Sequence, residues 1–157
     1  MHTDRVEQAG LRAALVAGTL LAYANALTAG FQFDDFHAIV DNPAVHSLQA
    51  WWQALPGIRP LLKLSYALDW LRGNGEARSF HATNLALHAL NVLLLWRLLR
   101  LAVQHWGSTG GRSEYAAALG AVVFALHPAA TEAVTYVSGR SIVLASGLGA
   151  PNGAMRL

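Results

Sequence analysis

From Phe80 to Val103 the chain runs FHATNLALHALNVLLLWRLLRLAV, with leucine dominant and no charge before Arg97. A run of this length and apolarity matches the ~20 residues a helix needs to cross a hydrocarbon core. It therefore restricts the fold to helices that satisfy their own backbone, because lipid offers no partner for a free N–H or C=O. The segment is not uniformly apolar. His81, Asn84, His88 and Asn91 are spaced three, four and three residues apart, which places them on one helical face. Polar groups are costly in hydrocarbon, so this stripe is expected to face other helices or a wet cavity. Hydrogen-bonding glue between helices and cavity lining fit it equally well.

Composition supports lipid as the solvent. Of 157 residues, 54% are hydrophobic and 13% charged, against about 25% charged in soluble domains. Mean hydropathy is +0.34. The net charge is +2, with lysine and arginine scattered rather than gathered into a stripe, which excludes a nucleic-acid footprint. The chain has no cysteine, so disulfides and thiolate metal sites are excluded.

Two further apolar stretches accompany the central one. Ala13–Gly30 follows Arg5 and Arg12 as a signal peptide would, but it lacks a small-x-small cleavage site and reads as an uncleaved first transmembrane helix over 13–30. The third membrane segment, 115–138, is apolar from Tyr115 to Leu126 and is broken near His127-Pro128, where proline removes a donor and disfavours helix at the residue before it. The expected fold is thus an all-α integral membrane protein with about three transmembrane helices. Arg5 and Arg12 before the first, and Arg97, Arg100 and Arg112 around the 104–114 connection, place residues 1–12 and that connection in the cytoplasm. The loop 31–79 then lies outside. It carries the paired Trp51 and Trp52, suited to a membrane interface, and a segment from Pro60 to Arg72 patterned as a short amphipathic helix on the bilayer surface. The tail, 139–157, reads as incomplete or aberrant, stopping where another span would gather length.

Several side chains could carry chemistry. Asp34 and Asp35 sit just past the first span, inside Phe31-Gln32-Phe33-Asp34-Asp35-Phe36. A carboxylate among phenylalanines at a cavity mouth could take a proton from a hydroxyl or hold a divalent cation. Either residue could equally cap a helix starting at Phe36. Glu132 is an isolated acid in apolar company, either functional or paired with Arg140. Arg59 and Lys63, four apart, could present two cations to a lipid phosphate or to anionic headgroups. The stripe of the second span offers no metal site, since His81 and His88 lie two turns apart without a third ligand.

Seven short stretches recur in one order. They are Tyr23-Ala24-Asn25-Ala26-Leu27 leading into Gly30-Phe31-Gln32-Phe33-Asp34-Asp35; Asp41-Asn42-Pro43; Arg59-Pro60-Leu61; Phe80-His81-Ala82-Thr83-Asn84-Leu85 with His88-Ala89; Phe124-Ala125-Leu126-His127-Pro128; Thr131-Glu132-Ala133-Val134; and Gly139-Arg140. Together they resemble the membrane domain of the TMTC proteins and their bacterial relatives, transmembrane and tetratricopeptide-repeat proteins of GT-C O-mannosyltransferase type.

The resemblance implies part of a GT-C polytopic bundle in a membrane glycosyltransferase. Such an enzyme moves a mannose-like sugar from a polyprenyl-phosphate donor to serine or threonine hydroxyls of an acceptor protein on the non-cytoplasmic side. One of Asp34 and Asp35 would be the general base, Arg59 and Arg140 would meet the donor phosphate, and His81, Asn84, His88, His127 and Glu132 would line the cavity. The resemblance assigns no metal ligands and leaves divalent-metal dependence open; the lipid-linked sugar is a substrate rather than a cofactor. Partners are the donor, the acceptor protein and membrane lipid, with no nucleic acid, and the implied location is a bacterial inner membrane. Ile58 stands where the family pattern has tyrosine, and the pattern dissolves after Ser141-Ile142-Val143-Leu144-Ala145. The chain reads as a C-terminally truncated piece, inactive alone. The competing readings are a non-catalytic anchor for a tetratricopeptide-repeat interaction protein and a transporter built on the His/Asn stripe.

Overall fold

A computed structural model describes residues 2–55, 59–106 and 111–148. The departure at Ile58 and the tail beyond residue 148 lie outside the described residues. The fold is all-α, and no strand occurs among the described residues. Seven α-helices are described: α1 His2–Ala22, α2 Leu48–Gln53, α3 Pro60–Gly73, α4 Ala77–His105, α5 Gly111–Ala125, α6 Pro128–Thr135 and α7 Arg140–Leu148.

α4 is the axis of the molecule: α1, α3, α5, α6 and α7 all pack on it. It is also the one described helix that by itself is long and apolar enough to cross a membrane. Of its most apolar window, only 28% is buried by the rest of the chain. The core helix of a soluble protein would be mostly covered, so most of this apolar surface faces outward.

The first apolar stretch folds differently from a single helix over 13–30. α1 starts at His2 and stops at Ala22, and a 3-10 turn follows from Ala24 to Thr28. The mixed segment 2–12, with Arg5, Glu7, Gln8, Ala9, Leu11 and Arg12 as good helix formers, continues the helix backwards. At the other end Thr28 Oγ1 donates to the Asn25 carbonyl at 2.8 Å, the kind of local side-chain bond that competes with a helical ladder. Because charges crowd its first half, α1 as a whole is not apolar enough to cross a membrane.

The third stretch is bent by 59° between residues 113–125 and α6. Pro128 removes the donor that would extend α5, and His127 takes the extended backbone required before proline. The imidazole of His127 caps α6, Nδ1 accepting from Ala129 N at 3.2 Å. The break leaves the Ala125 carbonyl without a helical donor. Tyr23 Oη donates to it at 3.0 Å, and His88 Nε2 lies 3.2 Å away, so α1 and α4 close the break together.

Two cores result. Near the C-terminal half of α4, Leu15, Val92 and Trp96 pack on Ala117, Ala118, Ala121 and Ala125. Small residues on α5 let the helices approach closely, the common solution for helix pairs in lipid. Trp96 carries Arg12 over its ring at 5.2 Å and Arg100 at 5.8 Å, and Arg100 also pairs with Glu114. At the opposite end, Ile39, Val45, Tyr66, Phe80 and Val137 gather the loop, α3 and the turn before α7.

Candidate functional site

The acidic motif sits at that second end. Gln32 and Asp35 close on each other: Asp35 N donates to the Gln32 carbonyl at 2.8 Å, and Gln32 N donates to Asp35 Oδ2 at 3.1 Å. Between them Phe33 adopts a left-handed backbone, φ 42°. That region is uncommon for a bulky residue and persists only where surroundings enforce it. The consequence is a split between neighbouring carboxylates. Asp35 is fully buried, and its Oδ1 accepts from both N and Oγ of Ser138 at 2.7 Å. Asp34 is exposed, flanked by Phe33 at 85% and Phe36 at 48% exposure. Neither aspartate caps the following helical turn with its side chain. Asp35 instead spends Oδ2 on Gln32 N and Oδ1 on a residue a hundred positions downstream.

The segment Tyr136–Arg140 between α6 and α7 acts as a strap across this end. Tyr136 Oη accepts from Asp34 N at 3.0 Å. The Val137 carbonyl accepts from Tyr66 Oη at 3.3 Å, and the Tyr136 carbonyl from Asn84 Nδ2 at 3.1 Å. Gly139 lets the strap lie flat on α6, since a Cβ there would stand 3.0 Å from the Glu132 carbonyl oxygen and 3.1 Å from Ala133 Cα.

Arg140 ends the strap and is fully enclosed. Its guanidinium donates to Asn84 Oδ1 at 2.6 Å, Ser65 Oγ at 3.0 Å and the Phe80 carbonyl at 2.9 Å, and pairs with Asp69 Oδ2 at 2.6 Å. It also lies over the Tyr66 ring at 4.7 Å. Asp69 in turn accepts from Arg72 and Thr83 at 2.6 Å each. Arg140, expected to meet the donor phosphate, is thus engaged inside the fold, and its guanidinium presents no exposed surface. Of the two readings of Glu132, the pairing with Arg140 does not form: Arg140 takes Asp69, and Glu132 stays exposed on α6.

Arg59 remains at the surface. It occupies the position before α3 with a left-handed backbone, φ 58°, and Pro60 opens the helix. An arginine held before proline in that conformation is strained, and its side chain is exposed at the helix N-terminus.

The stripe on α4 is wholly buried, and three of its four members bind backbone carbonyls. Asn84 reaches the strap, His88 the break, and Asn91 Nδ2 the Val143 carbonyl of α7 at 2.8 Å. His81 is buried with neither ring nitrogen in a hydrogen bond of good geometry. His88 and His127 line a cleft of about 190 Å³ between α4, the break and α7, together with Asn91, Phe124 and Ile142. His81, Asn84 and Glu132, expected on a cavity wall, are not part of it. Among the described residues no three metal-binding side chains converge.

Asp69, Ser65, Tyr136 and Ser138 were not singled out from the sequence as site residues. For Asp69 there was a signal: an acid between Tyr66 and Trp70, one turn before Arg72, on a helix otherwise apolar.

The fold and site define a class: an all-α protein built on one helix of bilayer length, with an exposed carboxylate held at one end of a buried polar network. Within that class the chain belongs to the TMTC-like family. It is 30% identical over 148 residues to the protein named Protein O-mannosyl-transferase TMTC3 of Homo sapiens, with 84% of this chain and 15% of the relative covered. The Mus musculus TMTC3 protein is 33% identical, covering 84% and 15%. The Mus musculus TMTC1 protein, also named a protein O-mannosyl-transferase, is 32% identical over 87% of this chain and 16% of its own length. The chain thus spans about 15% of the length of the first of these relatives. No family model matches the chain. No solved structure matches it.

Proposed function

We propose that the chain forms part of a membrane glycosyltransferase that moves a mannose-like sugar from a polyprenyl-phosphate donor to serine or threonine hydroxyls of protein. The observation that carries the reading is the split of the acidic pair. Asp35 is consumed by Ser138 and Gln32, whereas Asp34 stands exposed at the end of the network. Asp34 is the base: it takes the proton of an acceptor hydroxyl, the oxygen attacks the anomeric carbon, and the C–O bond to phosphate breaks as the polyprenyl phosphate leaves. Arg59, exposed at the start of α3, supplies the cation facing that phosphate. Arg140 leaves this role and holds the scaffold.

In this reading α4, the bent α5–α6 pair and the apolar half of α1 are about three membrane segments, the N-terminus lies in the cytoplasm, and the acidic turn is outside. The outward-facing apolar surface of α4 supports a lipid setting. The exposed Phe33, Phe36, Trp52, Leu61 and Leu68 then meet the interface or further helices.

The test places this chain's residues in the matching segment of a whole-length TMTC3 relative and measures mannose transfer from polyprenyl-phosphate mannose. Asp34→Asn should lower transfer by about 10²–10⁴-fold, the usual worth of a positioned base. An Asp34→Asn chimera as active as its parent would falsify the assignment.

A further inference from the structure

We infer that Tyr136 is a positioning residue for Asp34, its phenol oxygen fixing the turn that presents the carboxylate; the catalytic part of this inference rests on the reading of Asp34 as base. The geometry is direct. The Asp34 amide has no helical partner, and it donates to Tyr136 Oη at 3.0 Å across 102 positions of sequence. The adjacent residue is anchored to the same strap through Ser138 N and Oγ, so two successive residues of the acidic turn are tied to one three-residue segment. The strap is itself immobilised from three sides, by Asn84 on the Tyr136 carbonyl, Tyr66 on the Val137 carbonyl and Arg140 in its buried network.

Two anchors do different things. Ser138 holds the buried aspartate and so holds the turn to the bundle. Tyr136 holds the amide of the exposed aspartate and so sets where its Cα, and hence its carboxylate, points. Phe33 in the left-handed region costs free energy, and a turn so strained relaxes when an enforcing contact is removed. Since the phenol oxygen uses its lone pair on the Asp34 amide, its own proton remains available beside the carboxylate or a bound hydroxyl. The role is positional, because Tyr136 touches the base rather than the transferring sugar.

Two readouts separate this inference from the reading beneath it. In the ¹⁵N-labelled 157-residue chain in detergent micelles, Tyr136→Phe should speed hydrogen exchange of the Asp34 amide by about tenfold, the worth of one ordinary hydrogen bond. The Asp35 amide, which donates to the Gln32 carbonyl, should not change and serves as the internal control. In the whole-length chimera, Tyr136→Phe should lower kcat by roughly 10- to 100-fold, the cost of a displaced reacting group, with the acceptor KM unchanged. Unchanged Asp34 exchange, or an unchanged kcat in a chimera that Asp34→Asn inactivates, overturns the inference and leaves the base assignment standing. If Asp34→Asn is fully active, the base assignment falls and the exchange result alone judges the tie. Should Tyr136→Phe not fold, difluorotyrosine placed at position 136 and read below pH 6, where its phenol stays protonated, weakens the acceptor without removing it; faster Asp34 exchange supports the tie and unaltered exchange overturns it.

Discussion

The two halves of α4 are held to their neighbours by different physics. From Phe80 to Asn91 the contacts are directional: Asn84, His88 and Asn91 each find a particular carbonyl, and Arg140 enters from α7 to close a charged network with Asp69. From Val92 onward the interior contacts are mainly steric, Trp96 and Leu15 lying in a bed of alanines on α5, with the Arg100–Glu114 pair at the rim. Directional bonds fix register and turn geometry, which the acidic turn needs. Close packing of small residues supplies adhesion without demanding one geometry. One helix thus provides a precise end and a merely cohesive end, and the candidate chemistry sits at the precise one.

Substitutions can break this contrast in graded fashion. The largest effect belongs to Arg140→Met, which leaves the buried Asp69 with Arg72 and Thr83 alone and takes the donor from Asn84 Oδ1. Removing one partner of a buried pair costs about 3–5 kcal/mol, read by denaturant unfolding of the chain in micelles. A loss below that of the packing variants would show the network to be peripheral. Next comes the cohesive end. At Gly120 a Cβ would meet Leu99 Cδ1 at 2.6 Å, so Gly120→Leu should cost about 2 kcal/mol by overpacking. It should leave Asp34 amide exchange untouched, because strain there does not reach the strap. Asn91→Leu removes a single carbonyl bond and should cost about 1.5 kcal/mol, within the range measured for polar contacts between membrane helices.

How much of this was written in the chain divides along the same line. The all-α class, the α4 stripe and the break at Pro128 were legible because each is a local pattern: a 3.6-residue period, or a proline that cannot donate. The family was legible from short stretches in fixed order. What stayed hidden were pairings across long sequence separation. Nothing near Asp35 announces Ser138, and nothing near Arg140 announces Asp69. A buried ion pair leaves no periodic trace, so the inward turn of Arg140 onto Asp69 is not legible in the chain. Likewise the first apolar stretch looked like one span over 13–30, whereas a helix runs back through polar residues and a 3-10 turn ends it at Tyr23, whose hydroxyl caps the distant break.

Tyr66 offers the finest test of the precise end. Its ring is buried beneath Arg140, and burial pushes the phenol from 10.0 up to about 12, partly offset by the Arg140 charge. The folded state thus favours the protonated phenol, which donates to the Val137 carbonyl. That preference is fully present below the unfolded pKa near 10 and is lost as pH rises through 12. At pH 11 the loss amounts to about 1 kcal/mol, since each unit of separation is worth roughly 1.4 kcal/mol. The parent chain should therefore lose stability between pH 9 and 11 by that margin more than Tyr66→Phe does, measured as the difference between their unfolding midpoints. Parallel pH curves for the two would mean that the phenol ionises freely and that the strap does not press on α3 as its hydrogen bond indicates.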